Sequence, residues 1–140
     1  MDQDVLKKEH LLDRLVLPEQ LSALSPEQLE QLAAEIRDLI IQTVACNGGH
    51  LASNLGVVEL TMALLLEFDL KHDQVVFDVG HQCYTWKILT GRLNRFCTLR
   101  KKDGLSGFPK TCESLFDCFN TGHSTTSISA ALGITRAFDR

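Results

Sequence analysis

A chain of 140 residues, 44% apolar and 23% charged, has room for one packed domain and is too apolar to be disordered. Its formal net charge of −4 argues against a general nucleic-acid binder. The five cysteines (46, 83, 97, 112 and 118) are odd in number and form no Cys-x-x-Cys pair, so they read as reduced thiols of a cytoplasmic protein.

The N-terminus carries Asp2, Asp4, Lys7 and Lys8 without an apolar run, which is not the pattern of a secretory signal. Ser25-Pro26-Glu27-Gln28 then opens a helix: a serine cap, proline at the first helical position and glutamine three residues after the cap. Leu29, Leu32, Ala33, Ile36, Leu39, Ile40 and Val44 continue it at helical spacing until Asn47-Gly48-Gly49 stops it. A second helix is predicted from after Asn54 to about Phe68, apolar almost all round and therefore buried. The apolar stretch Leu55 to Leu66 contains Glu59 and is too short to span a bilayer. "QVVFDVG" (74–80) is short, β-branched and ends at glycine, the pattern of a strand. Helices are predicted from Tyr84 to Thr90, closed by Gly91, and from Asn94 to Lys102, closed by Gly104. "DGLSGFPK" (103–110) must be loop. Residues 122–138 read as a loop feeding a helix whose apolar side includes Ile128, Leu132 and Ile134.

Three histidines stand beside glycine: Gly49-His50, Gly80-His81 and Gly122-His123-Ser124. Gly80-His81 falls at the predicted strand end, where ligands collect in open α/β sheets. Gly122-His123-Ser124 falls at a helix start, where free N–H groups favour an anion. Any one such pair is more simply a turn or cap with an incidental histidine; three in a short chain point to a shared polar site. His81 and His123 are expected to meet at the carboxyl end of the strand.

Two other functions compete at this level. A zinc module would use His81, Cys83 and Cys97, but structural zinc sites favour closely paired ligands, and small buried thiols are the simpler reading. A nucleic-acid surface would use Lys87 to Lys110, which holds seven bases and one acid. A solvated basic face or a phosphate-facing surface explains that run equally well.

The runs "SPEQLEQLAAEIRDLI", "NGGHLASNLGVVELTMAL", "FDVGHQCYTWKILTGR", "LRKKDGLSGFPK" and "FNTGHSTTSISAALG" together resemble the N-terminal part of the 1-deoxy-D-xylulose-5-phosphate synthases. These are transketolase-like enzymes that use thiamine diphosphate. The resemblance covers about residues 10 to 138 and implies an α/β fold: the N-terminal part of a parallel-sheet domain that binds the cofactor, mostly helical over this length. Residues 1–140 would be one partial domain.

By the same resemblance His81 approaches the cofactor diphosphate, while Gly122, His123 and Ser124 line the cofactor site. His50 stands near the reactive carbon as a proton-transfer group, and Ser53 lies close to the substrate. The implied reaction joins pyruvate to D-glyceraldehyde 3-phosphate with loss of CO2, serving isoprenoid, thiamine and pyridoxal synthesis. Thr85, Trp86, Phe116 and Asn120 depart from residues usual in the family and leave the site residues intact. Family members are several times longer, and their Mg2+ motif would lie just beyond Arg140. The expectation is that the 140-residue chain does not catalyse alone. It would be part of a homodimer, a split-enzyme subunit needing a C-terminal partner, or an inert truncated remnant. Neither nucleic acid nor membrane is an expected partner.

Overall fold

The computed structural model describes residues 10–138. The charged N-terminal residues Asp2, Asp4, Lys7 and Lys8, which argue against a secretory signal, lie outside the described residues. Helix α1 (Pro26–Asn47) begins as its sequence requires. Ser25 Oγ accepts the Gln28 N–H at 3.3 Å, and the Gln28 side chain accepts the Ser25 N–H at 2.9 Å. Two orphan donors of the first turn are thereby satisfied. The helix ends at Gly48, whose φ of 74° is the left-handed conformation that glycine adopts at least cost.

Leu32, Ile36 and Ile40 of α1 form one wall of the core. Opposite them stand Val58 and Met62, and Tyr84, Trp86, Ile88 and Leu89, all buried. Phe96, Leu99 and Leu105 close the core from the later loops.

The predicted second helix is two pieces, α2 (Ala52–Leu55) and α3 (Val58–Glu67), broken where Val57 leaves helical geometry (φ −123°, ψ 16°). It is not buried all round. Val58, Thr61 and Met62 face the core, whereas Leu60 is 59% exposed and Leu66 and Phe68 are also open. Arg37 of α1 holds this pair of helices from outside, donating to both Glu59 carboxylate oxygens (2.6 and 2.5 Å) and to Leu55 O at 3.2 Å.

No strand forms among the described residues, and helices supply the regular structure there. Residues 74–79 carry the β-branched pattern but have no ladder partner among the described residues. A strand is completed by a neighbouring chain segment, and this pattern cannot supply one by itself. The segment is instead held by side chains from either partner: the Phe77 ring stands edge-on to Trp86 at 5.6 Å, and the Cys118 thiol donates to the backbone oxygen of Val75 at 3.3 Å.

Helix α4 (Tyr84–Lys87) runs on through a wider turn, Ile88–Arg92, and ends where predicted, at Thr90 and Gly91 (φ 87°). A 3-10 helix (Leu93–Thr98) takes the place of the predicted helix from Asn94 to Lys102. Helix α5 (Ser127–Phe138) closes the described chain with no buried residue. Ile128 and Leu132, predicted for its apolar side, are 81% and 59% exposed.

The basic run is not a solvated face throughout. Lys87 and Arg92 are buried. Lys87 Nζ donates to Glu113 at 2.5 Å, and Arg92 grips both Asp117 oxygens at 2.5 and 2.9 Å. Asp117 also accepts from Trp86 Nε1 (3.0 Å) and the Lys110 N–H (2.8 Å), so it pins the 106–110 loop to α4. Arg95, Arg100, Lys101 and Lys102 remain exposed.

Candidate functional site

Two of the three glycine–histidine loops meet ring to ring. The imidazoles of His50 and His81 stand edge to face with centroids 5.1 Å apart, and Phe108 flanks His50 at 6.3 Å. Gly49 makes the approach possible. A Cβ there would fall 2.7 Å from Tyr84 Oη, which accepts the His50 N–H at 3.3 Å.

His81 enters from a strained turn. The Gly80 N–H closes onto Asp78 O at 2.6 Å, and Val79, a β-branched residue, is held at φ 59°. Positive φ is costly for such a side chain and persists only where the surroundings enforce it. Gly80 (φ 85°) is enforced from outside, since an added Cβ would lie 2.2 Å from Thr121 Oγ1 and 2.4 Å from Pro109 Cδ. The turn is therefore wedged between the 106–110 loop and the segment leading to Gly122.

Asp78 makes the second connection to that segment. Its carboxylate accepts Ser127 Oγ at 2.9 Å and the Ser127 N–H at 3.4 Å, at the first residue of α5. Hydrogen bonds from the Thr125 N–H and the Ser127 hydroxyl hold the carboxyl below its ordinary range. An anion at a helix N-terminus is favoured by the unpaired N–H groups and the positive dipole end. Here the anion is a side chain of the protein.

The loop bearing Gly122, His123 and Ser124 thus adjoins the His81 turn through Gly80, Thr121 and Asp78. His81's ring contact is with His50, and among the described residues no ring contact joins His123 to either histidine. Gly122, His123 and Ser124 are exposed, and space beside Gly122 is open. Ser53, on α2, turns a buried Oγ that has no hydrogen-bond partner; His81 Nδ1 and Thr121 Oγ1 are likewise buried and unpaired.

The residues that draw these loops together were missed by their sequence pattern. Asn54, fully buried, donates to His50 O at 2.6 Å and to His81 O at 2.8 Å. Its side-chain oxygen accepts the Tyr84 N–H at 2.9 Å. Asparagine is common in loops and caps, and nothing in its spacing marks it. Asp78 and Thr121 were equally silent, although Asp78 inside "FDVGH" is an acid within an otherwise apolar run.

Among the described residues no three His, Cys, Asp or Glu side chains converge as metal ligands. Cys83, weighed as a zinc ligand, is buried against Gly107 O (3.8 Å), and desolvation pushes its thiol up to about 12. No described helix is long and apolar enough to cross a membrane.

Residues 12–140 match the family profile described as 1-deoxy-D-xylulose-5-phosphate synthase. The chain belongs to the 1-deoxy-D-xylulose-5-phosphate synthase family. It is 61% identical over 129 residues to the 1-deoxy-D-xylulose-5-phosphate synthase of Desulforudis audaxviator, which covers 92% of this chain and 20% of that protein. The synthase of Treponema pallidum is 61% identical over 127 residues, 91% of this chain and 20% of its own length. That of Clostridium kluyveri is 56% identical over 130 residues, 93% and 21% respectively. The chain thus spans about a fifth of the length of the curated synthases it matches.

Proposed function

We propose that the chain serves as the N-terminal part of a 1-deoxy-D-xylulose-5-phosphate synthase. It would take part in joining pyruvate to D-glyceraldehyde 3-phosphate with loss of CO2, in the cytoplasm, for isoprenoid, thiamine and pyridoxal synthesis. The single observation that carries the reading is the His50–His81 pair at 5.1 Å, with His81 Nδ1, Ser53 Oγ on α2 and Thr121 Oγ1 beside Gly80 all buried and unpaired. Buried polar atoms without partners are rare in folded proteins and are relieved by a ligand that pairs them.

That set fits thiamine diphosphate, on which the family depends. When bound, the cofactor supplies the electron sink for decarboxylation and carbon–carbon bond formation. His81, Gly122, His123 and Ser124 hold it, the imidazoles donating N–H groups to anionic oxygen. His50, beside Phe108 and more exposed than His81, moves protons on and off substrate oxygens. Ser53 contacts the substrate through its unpaired hydroxyl. Mg2+ would take its ligands from the rest of the enzyme. The open side of α5 supports a working partner, either the remaining portion of the synthase as a second chain or a homodimer mate.

The test supplies the remaining four-fifths, taken from the Desulforudis audaxviator synthase, and measures CO2 release from pyruvate that depends on D-glyceraldehyde 3-phosphate. Activity is expected. His50→Ala then lowers kcat by about 10²–10⁴-fold, while His81→Ala raises the thiamine diphosphate requirement and is partly rescued by excess cofactor. Inactivity with every residue intact would favour an inert remnant. Rescue of His50→Ala by cofactor, with His81→Ala left dead, would reverse the two roles.

A further inference from the structure

We propose that Asn54 is the positioning residue of the histidine pair, one planar amide that sets the distance between the His50 and His81 loops. The inference rests on the reading of those two histidines given above. An asparagine side chain offers two N–H donors and one carbonyl oxygen. At Asn54 all are engaged: the donors on His50 O and His81 O (2.6 and 2.8 Å), the oxygen on the Tyr84 N–H (2.9 Å). The amide's orientation is fixed by its partners, because two carbonyls can only accept and a backbone N–H can only donate.

The chemistry of the side chain is specific to this task. Two backbone carbonyls from segments 31 residues apart in sequence point at one nitrogen, so their spacing cannot change without breaking a bond in a fully buried position. Aspartate has the same shape and keeps the acceptor for Tyr84, but sets a carboxylate oxygen against two carbonyl oxygens. Alanine or leucine leaves all three backbone groups unpaired. The side-chain hydrogen bonds of Asn54 go to backbone atoms, His50 O, His81 O and the Tyr84 N–H, so it acts through the backbone of both histidines. Its loss should displace both rings, a signature that neither histidine substitution shares.

The test uses the 140-residue chain and the reconstituted synthase in parallel. In the isolated chain, the nuclear Overhauser cross-peak between the His50 and His81 ring protons is followed in wild type, Asn54→Ala, Asn54→Asp and Leu21→Ala. Leu21 is a buried core residue outside the site. The cross-peak is expected in wild type and Leu21→Ala and is lost in both Asn54 variants, with Trp86 fluorescence reporting the fold. In the reconstituted enzyme, Asn54→Ala lowers kcat by up to about 100-fold, the scale of a small misplacement, and raises the cofactor requirement at the same time. Leu21→Ala changes neither.

A cross-peak that survives Asn54→Ala, or that Leu21→Ala also abolishes, overturns the proposal. Unfolding of both Asn54 variants overturns it too, by making the residue a requirement of the fold. If the cross-peak behaves as expected while the wild-type assembly is inactive, Asn54 still positions the pair and the synthase reading falls instead.

Discussion

Asp78 and Ser127, 49 residues apart in sequence, are joined by a 2.9 Å hydrogen bond from the serine hydroxyl to the carboxylate. This contact ties the loop of Gly122, His123 and Ser124 to the turn that delivers His81. It also makes the join sensitive to acid. The folded-state pKa of Asp78 is depressed by the Thr125 N–H and the Ser127 hydroxyl. Its contribution is therefore fully present above the ordinary value of 3.8 and is lost as pH falls through the lower folded value. Following the Ser127 amide resonance should show the join intact at neutral pH and released in acid. In Asp78→Asn the same resonance should start near the released position and show no such acid step.

The ion pairs beneath the 106–110 loop make a second prediction. Asp117→Ala takes the close carboxylate partner from the buried Arg92 guanidinium, leaving it Thr90 Oγ1 at 2.7 Å and Glu113 at 3.8 Å, and also strips Trp86 Nε1 and the Lys110 N–H of their acceptor. Breaking a buried pair in this way costs about 3–5 kcal/mol. Denaturant unfolding followed by Trp86 fluorescence should register that loss. A change within experimental error would mean that the network is solvated rather than buried.

Two glycines with nearly the same backbone test the wedge around His81. Gly80 (φ 85°) and Gly91 (φ 87°) both adopt the left-handed conformation, but only Gly80 is enclosed, by Thr121 and Pro109. Gly91→Ala carries the backbone penalty alone, roughly 1–2 kcal/mol. Gly80→Ala carries that penalty plus a collision, so it should destabilise more and should separate the 121–127 loop from the turn. Equal unfolding midpoints for the two variants would contradict the wedge.

Thiol chemistry gives the fourth. Cys46, Cys97 and Cys112 are exposed, Cys118 is half-buried and Cys83 is buried, with its thiol pushed up to about 12. Mass spectrometry after brief alkylation at neutral pH should find the three exposed sites labelled first and Cys83 labelled only on unfolding, since the thiolate is the nucleophile. Early labelling of Cys83 would show that the 83–107 contact opens readily.

The local features were legible because they are encoded by neighbours in the chain. The capping box of α1 needs only Ser25 and Gln28, and the end of α4 at Gly91 needs only a residue that tolerates positive φ. The family was legible for a related reason, since ordered runs such as "GGHLASNLG" and "VGHQ" carry identity without geometry.

Whatever depends on a distant partner was not legible. The strand pattern of 74–79 formed no ladder among the described residues, because β pairing is a property of two segments. α3 was predicted to be buried all round and is not, because apolarity states a preference for burial, whereas burial requires something to pack against. Lys87 and Arg92 looked like part of a solvated basic run until Glu113 and Asp117, some 25 residues on, met them inside. Sequence by itself determined the two ends of α1, the stop at Gly91, the family and the three histidines. Only the tertiary structure decided that His50 pairs with His81, and that Asn54 and Asp78 join the loops. Hydrogen bonds across tens of residues depend on where the backbone returns, and residue order alone does not specify that return.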